Sequence, residues 1–320
     1  MERVPMKRLE LYSGRSHPAL AAEIAKHLGV ELGEANLKEF SNGEIHCRYD
    51  ESIRGADVFI VQTHCGPVNT SIMEQCIMID AAKRASAKRI TAVCPYYGYS
   101  RQDRKAEGRE PITARLVADM LEAAGADRIM SVDLHSGQIQ GFFDGPVDHL
   151  LGMPLIEDYL RDNAPDGLVV VAPDAGRIKV AERLAQHLDS DLASVYKRRA
   201  KGNVQALGVM GEVGGRPCLL IDDMIDTAGT IVAAADVLLD HGASDVWAMA
   251  THGVLSDPAT DRLKNSRVSR IVITDTLPLP PEKQIDKLEV LPVARIIADA
   301  IDAVFEDTSV SEIFGGENQA

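Results

Sequence analysis

The sequence has few aromatic residues, few cysteines and no excess of positive charge. Phe, Trp and Tyr make up 4% of its 320 residues, so the core must be aliphatic, which suits helices stacked on a buried sheet. The five cysteines form no CxxC pair, which argues against zinc sites and disulfides and fits a reducing cytosol. Lys and Arg number 34 against 48 Asp and Glu, a formal charge of −14, which argues against general nucleic-acid binding.

Long apolar runs are also missing. No segment is apolar for long enough to cross a bilayer, and no charged-then-apolar leader opens the chain, so we expect a cytoplasmic protein without a membrane partner. The pattern GxxxxGK[ST] does not occur, which excludes a P-loop kinase. The length allows two domains of ordinary size. Because the net charge is negative, any anionic substrate must be met by local clusters of Arg and Lys.

The most informative segment is LLIDDMIDTAGT, residues 219–230. Cys218 to Ile221 predict a buried strand of a parallel sheet, followed by Asp222 and Asp223. A loop of small residues, 226–230, leads into a helix. In open α/β sheets, ligands bind at the carboxyl ends of strands, and helix N-termini bind anions. The segment therefore predicts a phosphate site in the loop, with carboxylates for sugar hydroxyls or a bridging Mg²⁺. The alternative is an ordinary strand–turn–helix unit with an acidic turn.

Two segments of the N-terminal half stand out, one as a turn and one as a candidate nucleotide site. FSNGEI, residues 40–45, contains Asn-Gly, a strong hairpin signal that by itself favours a plain surface hairpin. PYYGYSRQDRK, residues 95–105, follows a predicted buried strand. Its tyrosine rings would suit a base, and Arg101, Arg104 and Lys105 would suit phosphates. A solvated basic loop is the alternative.

Two strand ends carry residues that could meet one cation. His135 follows one predicted strand, and Asp174 lies in the turn after another. Mg²⁺ prefers oxygen ligands, so we expect Asp174 to bind it more directly than His135. A structural role is the alternative for His135.

Cations are concentrated in YKRRAKGN, residues 196–203, which we call the flap. Such a run is usually a solvated face, but this one lies between two predicted strand-end sites, which favours a mobile flap over phosphates. Lys197 and Arg199 are two residues apart, so an extended backbone would direct both to the same side.

A weak internal repeat indicates two similar α/β halves. The segments GADRIMSVDLH, residues 125–135, and GASDVWAMATH, residues 242–252, align without gaps. Each follows a predicted helix stop, contains a strand and ends in His.

Nearly the whole chain resembles the class I ribose-phosphate diphosphokinases, or phosphoribosyl pyrophosphate (PRPP) synthetases. The resemblance rests on motifs in one order: FSNGEI, YYGYSRQDRK, REPITA, VDLHSGQIQGFFD, APDAGR, YKRR, LLIDDMIDTAGT, THGVLS and SVSEIF. It implies an α/β fold of two type I phosphoribosyltransferase-like domains, each a mainly parallel sheet flanked by helices. Their expected ranges are 1–150 and 151–294, with a C-terminal helix, 295–314, packed back on the first.

The resemblance also implies the reaction. Such enzymes are kinases of nucleotide biosynthesis that transfer the β,γ-diphosphoryl group of ATP to the C1 hydroxyl of ribose 5-phosphate, giving PRPP and AMP. They assemble as hexamers, in which ATP lies against a neighbouring subunit that contributes FSNGEI. Many need inorganic phosphate and are inhibited by ADP. A phosphoribosyltransferase and a non-catalytic regulatory homologue are the alternatives.

Site residues follow from the resemblance position by position. Catalysis would be carried out by Lys197 and Arg199, and Mg²⁺ would be held by His135 and Asp174. The ATP site would comprise Asn42, Gly43, Glu44, Arg101 and Gln102. The ribose 5-phosphate site would comprise Arg199, Asp222, Asp223, Asp226, Thr227, Ala228, Gly229 and Thr230. The flap departs from the family where it continues Ala200-Lys201-Gly202, since many members carry Pro or Arg there, and it is one residue short before Gly211.

Overall fold

The computed structural model describes residues 7–199 and 205–319, without the side chains of residues 197–199, 205–207 and 319. The departure at Ala200-Lys201-Gly202 lies outside the described residues. The chain divides into two compact units. Unit 1 comprises Met1–Leu151, Thr276–Pro278 and Val293–Ala320, and unit 2 comprises Gly152–Asp275 and Leu279–Pro292.

Unit 1 contains eight of the strands and four of the α-helices assigned in the described residues. The strands are β1 Leu9–Ser13, β2 Leu32–Gly33, β3 Ala35–Glu39, β4 Ile45–Tyr49, β5 Asp57–Val61, β6 Arg89–Cys94, β7 Arg128–Val132 and β8 Val147–Leu150. The helices are α1 Pro18–Leu28, α2 Val68–Arg84, α3 Thr113–Ala124 and, numbered in chain order, α8 Ala294–Phe305.

Unit 2 contains the other elements. Its strands are β9 Val169–Ala172, β10 Asp191–Arg199, β11 Gln205–Met210, β12 Pro217–Ile225, β13 Asp245–Gly253, β14 Arg270–Thr274 and β15 Leu288–Leu291. Its helices are α4 Met153–Asn163, α5 Ile178–His187, α6 Gly229–Asp240 and α7 Ala259–Asn265. No helix in the described part of the chain is long and apolar enough to cross a membrane.

The sheet of unit 1 has six strands in the order β2-β1-β5-β6-β7-β8, and all its pairings are parallel. β3 and β4 form a separate antiparallel hairpin. Its turn is closed by the Phe40 N–H, which donates to the Glu44 carbonyl at 2.8 Å. Gly43 has φ +88°, a left-handed backbone that favours glycine. The Asn-Gly hairpin predicted from the sequence is therefore confirmed.

The sheet of unit 2 has seven strands in the order β11-β10-β9-β12-β13-β14-β15, and only the β10–β11 pair is antiparallel among its described strands. Successive residues of β12 pack into different cores, Leu220 with α6 and Leu219 with α5. Because helices cover both faces, the strand is apolar without alternation. The predicted α/β class, with mainly parallel sheets flanked by helices, is confirmed.

The two sheets share one strand order. With β11 left aside, the order β10-β9-β12-β13-β14-β15 matches β2-β1-β5-β6-β7-β8 position by position. This topology supports two similar halves, but the gapless alignment of 125–135 with 242–252 is wrong. It pairs β7 with β13, whereas the counterpart of β7 by sheet position is β14. A turn followed by an apolar strand recurs in every helix–strand repeat of such a fold. A short sequence similarity therefore does not show which repeats correspond.

The C-terminal tail is held in place within unit 1. Asn318 is 6% exposed, and its Nδ2 donates to the His149 carbonyl of β8 at 3.1 Å. One buried amide side chain thus attaches the C-terminal tail to β8, and the spacing of apolar residues in the sequence does not indicate such a contact.

Candidate functional site

The segment after β12 forms the predicted strand, loop and helix, with one difference. β12 continues to Ile225, so Asp222 and Asp223 lie within it, and Asp222 is paired with Ala250 of β13. The chain then turns through Ala228, which is buried and has φ +61°, and α6 begins at Gly229.

The first turn of α6 is suited to an anion. The first N–H groups of a helix lack intrahelical acceptors and collect negative charge. Among the described residues, no side chain caps this turn, since the N-cap residue is alanine. Gly229 has no side chain, and a Cβ placed there would lie 3.5 Å from the guanidinium of Arg262. That guanidinium therefore lies beside the loop, where its Nη1 donates to the Thr227 carbonyl at 3.0 Å. A phosphate can therefore approach the backbone beside a cation.

The two carboxylates of β12 share one arginine, which the sequence analysis did not assign to the site. Arg177 Nε lies 2.9 Å from Asp222 Oδ1, and Arg177 Nη2 lies 2.7 Å from Asp223 Oδ1. The exposed fractions of these three side chains are 14%, 15% and 6%. Burial and the neighbouring Asp223 raise the pKa of Asp222, and the guanidinium opposes this rise. The sequence does carry a signal for Arg177: in the motif APDAGR this arginine follows a predicted strand end closely, where ligand-binding residues gather.

Asp174 lies in the same turn as Arg177. The turn follows β9, which is paired in parallel with β12, so both residues come from a strand end next to the carboxylates. Asp174 is exposed, and its Oδ1 accepts the Gly176 N–H at 2.8 Å. The structure thus brings one predicted magnesium ligand to the strand-end region of unit 2 that holds Asp222 and Asp223.

His135, the other predicted ligand, follows β7 in unit 1. The preceding Leu134 N–H donates to His149 Nε2 at 3.0 Å. Ser136 Oγ donates to Asp103 Oδ2 at 2.6 Å, and Gln138 Nε2 donates to the same oxygen at 3.1 Å. Asp103 belongs to the loop after β6, so it joins the two loops that carry the predicted ATP and metal residues of unit 1.

The described residues contain no group of three or more His, Cys, Asp and Glu side chains arranged to hold a metal ion. Mg²⁺ is commonly held by one or two carboxylates together with substrate phosphates, so it does not need such a group. The oxygen donors of Asp174, Asp222 and Asp223 fit that chemistry.

The predicted ATP residues lie in two exposed segments of unit 1. Asn42, Gly43 and Glu44 form the tip of the β3–β4 hairpin, where Asn42 Oδ1 accepts the Glu44 N–H at 3.2 Å. Arg101 and Gln102 are exposed in the loop after β6. Gln102 Oε1 accepts from Thr113 Oγ1 of α3 at 2.6 Å. Each segment is thus held by local contacts that leave side chains at the surface.

Part of the predicted flap is a β-ribbon. The backbone of Lys197 and Arg199 lies in β10, where they pair with Leu207 and Gln205 of β11. The extended backbone expected for these two residues is therefore present. Their side chains, and the whole of residues 200–204, lie outside the described part of the chain.

Comparison with known proteins matches the chain along nearly its whole length. Residues 9–125 match the N-terminal domain of ribose phosphate pyrophosphokinase, and residues 191–315 match the phosphoribosyl synthetase-associated domain. The ribose-phosphate pyrophosphokinase of Streptomyces avermitilis is 57% identical over 96% of both chains. That of Bifidobacterium longum is 56% identical over 98% of this chain and 94% of its own.

A solved structure agrees with these relatives. The crystal structure of phosphoribosylpyrophosphate synthetase from Mycobacterium smegmatis superposes with a TM-score of 0.90 at 51% identity. The match covers 94% of this chain and 100% of that one. The family resemblance indicated by the sequence motifs is thus confirmed. The chain belongs to the ribose-phosphate pyrophosphokinase family, the enzymes that synthesise phosphoribosyl pyrophosphate.

Proposed function

We propose that this chain transfers the β,γ-diphosphoryl group of ATP to the C1 hydroxyl of D-ribose 5-phosphate, giving PRPP and AMP. The observation that carries the proposal is the pairing of an uncapped helix N-terminus at Gly229 with two carboxylates on the preceding strand, Asp222 half-buried and Asp223 buried. A sugar phosphate has both matching parts, a dianion for the helix and hydroxyls for the carboxylates.

In this proposal, each unit binds one substrate. The 5-phosphate accepts hydrogen bonds from the backbone of residues 226–230. The carboxylates of Asp222 and Asp223 accept hydrogen bonds from hydroxyl groups of the ribose ring. ATP binds against Arg101 and Gln102 of one subunit and against Asn42, Gly43 and Glu44 of a neighbouring subunit. Lys197 and Arg199 contact the diphosphoryl group, where negative charge grows as AMP leaves.

Mg²⁺ is the proposed cofactor, with His135 and Asp174 as its protein ligands. When bound, it neutralises charge on the ATP phosphates. The support for this assignment is the oxygen-donor chemistry of the strand ends and the usual sharing of Mg²⁺ between carboxylates and phosphates.

Product analysis tests the proposed reaction. The protein is incubated with Mg-ATP and ribose 5-phosphate, and the nucleotides are separated by chromatography. AMP formed together with PRPP is expected. ADP would indicate an ordinary kinase, and no turnover would indicate a non-catalytic homologue. Consumption of PRPP when a base is supplied, without turnover of ATP, would indicate a phosphoribosyltransferase.

Asp103 offers a test of the ATP site in unit 1. Alanine at this position removes the acceptor of the Ser136 and Gln138 hydrogen bonds, so the loop that carries Arg101 and Gln102 loses its link to the His135 loop. We expect the KM for ATP to rise roughly 10-fold, as for the loss of other outer-shell contacts. The Kd for ribose 5-phosphate, measured without ATP, should stay within about twofold.

The matched control is Asp119→Ala on α3, where an exposed carboxylate binds Arg115 instead. It should leave both constants unchanged. An equal loss of affinity for the two substrates in Asp103→Ala would contradict a role confined to the nucleotide side.

We further propose a cytoplasmic homo-oligomer, a hexamer by analogy with the family. Light scattering at assay dilution should give about six times the chain mass of 34.6 kDa. A monomer with full activity at that dilution would contradict the assembly.

By the same analogy with the family, we propose that inorganic phosphate activates the enzyme and that ADP inhibits it. Ser309 and Ser311 are the proposed contacts for the bound phosphate or ADP. Ser309 is exposed and precedes the short 3-10 helix Val310–Phe314. Replacing both serines by alanine should abolish the phosphate dependence of the rate. Unchanged dependence in a titration with phosphate would refute their role.

A further inference from the structure

We propose that Arg177 is a positioning residue that holds Asp222 and Asp223 as a paired acceptor for the 2- and 3-hydroxyl groups of the pentose, and thereby sets the preference for ribose over deoxyribose. This inference rests on the proposed function, since it deepens the role of the same sugar site. Arg177 itself need not touch the substrate.

The position of Arg177 follows from the sheet. β9 and β12 are neighbours in register, with Val171 opposite Leu220. The short 3-10 turn Ala175–Arg177 follows β9, so it lies beside the end of β12 that carries the two carboxylates. The guanidinium contacts one oxygen of each, at 2.9 and 2.7 Å. Successive strand residues ordinarily point to opposite faces, but these two side chains meet, and one guanidinium spans both.

Burial makes this contact consequential. Asp222 and Asp223 are 15% and 6% exposed, and two adjacent carboxylates with so little water repel each other. The guanidinium neutralises part of that repulsion through two charge-assisted hydrogen bonds with fixed geometry. Asp222 Oδ1 is also held from the other side by the Asp223 N–H at 2.8 Å. Without Arg177, the pair would lose the contact that orients both carboxylates together and would lose its common counter-charge.

Selectivity is the readout that a general structural role would not change. A site built to accept hydrogen bonds from substrate hydroxyls rejects an analogue that lacks one of them, because a buried polar group is left unpaired. 2-Deoxyribose 5-phosphate keeps the phosphate and the ring but lacks the 2-hydroxyl. If Arg177 positions the carboxylates for the hydroxyls, its loss should weaken two contacts of ribose 5-phosphate but only one contact of the deoxy sugar, so ribose 5-phosphate should lose more affinity.

The experiment measures the Kd of both sugars by calorimetry without ATP, in the wild-type protein, Arg177→Met and Arg177→Lys. Arg177→Met should raise the Kd for ribose 5-phosphate roughly 10–100-fold, while the Kd for the deoxy sugar, which keeps only the 3-hydroxyl contact, should rise by a smaller factor, so that the preference for ribose falls. Arg177→Lys keeps the charge but not the planar fork, so it should lose part of the preference. The control is Arg216→Met, since Arg216 binds Asp191 next to the opposite end of β12, and it should match the wild type.

Each other outcome overturns the proposal. An equal loss for both sugars in Arg177→Met would assign Arg177 to general stability, and no loss for ribose 5-phosphate would remove it from the site. If thermal melts show that Arg177→Met does not fold, Arg177→Lys decides the matter, and full retention of the wild-type preference would refute the role of the fork. The proposed function is judged separately by AMP formation in the wild-type protein, which does not depend on these variants.

Discussion

Alanine in place of Lys197 is expected to lower kcat by roughly 10²- to 10⁵-fold, or about 3–7 kcal/mol, and alanine in place of Arg199 by a similar factor. The two residues are two apart in β10, and strand alternation predicts that their cations share one side. The charge they stabilise is fully developed only in the transition state. Their loss should therefore lower kcat more than it raises either KM.

The flap supplies its own control. Arg198 lies between the two residues on the same strand, so alternation predicts that it faces the other way, and Arg198→Ala should retain most of the rate. The double variant should fall short of the product of the single losses, because both cations act on one group. Steady-state kinetics at saturating Mg-ATP measure all four variants. A larger loss in Arg198→Ala than in the other two would contradict this geometry.

Asp223→Asn is expected to raise the KM for ribose 5-phosphate roughly 10–100-fold, which corresponds to the loss of one charge-assisted hydrogen bond. Asparagine keeps the shape of the side chain but removes the charge, and it leaves Arg177 paired with Asp222 alone. The KM for ATP should stay within about twofold, because the change is confined to the sugar site.

A carboxylate elsewhere in unit 2 serves as the matched control. Asp191 is exposed and pairs with Arg216, so Asp191→Asn makes the same chemical change away from the proposed site and should leave both KM values unaltered. Kinetics with each substrate varied in turn provide the measurement. Equal effects of Asp223→Asn on the two substrates would argue against a dedicated sugar pocket.

Local signals in the sequence were sufficient for much of the fold. The Asn-Gly turn predicts the β3–β4 hairpin because only a few residues determine a tight turn. The apolar run before Asp222 predicts a strand buried on both faces, and the small residues after it predict the loop that leads into α6. The helix Pro18–Leu28 is followed by Gly29 in a left-handed conformation, the residue that commonly ends a helix.

Features that depend on contacts between elements were not predictable. The pairing of Arg177 with Asp222 and Asp223 depends on the register of β9 against β12, which neither segment encodes alone. Leu116 of α3 is apolar but 52% exposed, since the helix packs through the neighbouring positions Ala114, Val117, Ala118 and Leu121. The anchored Asn318 likewise depends on a carbonyl of β8 far away in the sequence.

The central claim is that the diphosphoryl group moves as one unit from ATP to the sugar. The most direct measurement uses ATP labelled at the β-phosphorus, incubated with ribose 5-phosphate and Mg²⁺, with the labelled products separated and identified. We predict that the label appears in PRPP and that the nucleotide product is unlabelled AMP. Label retained in ADP would contradict the account.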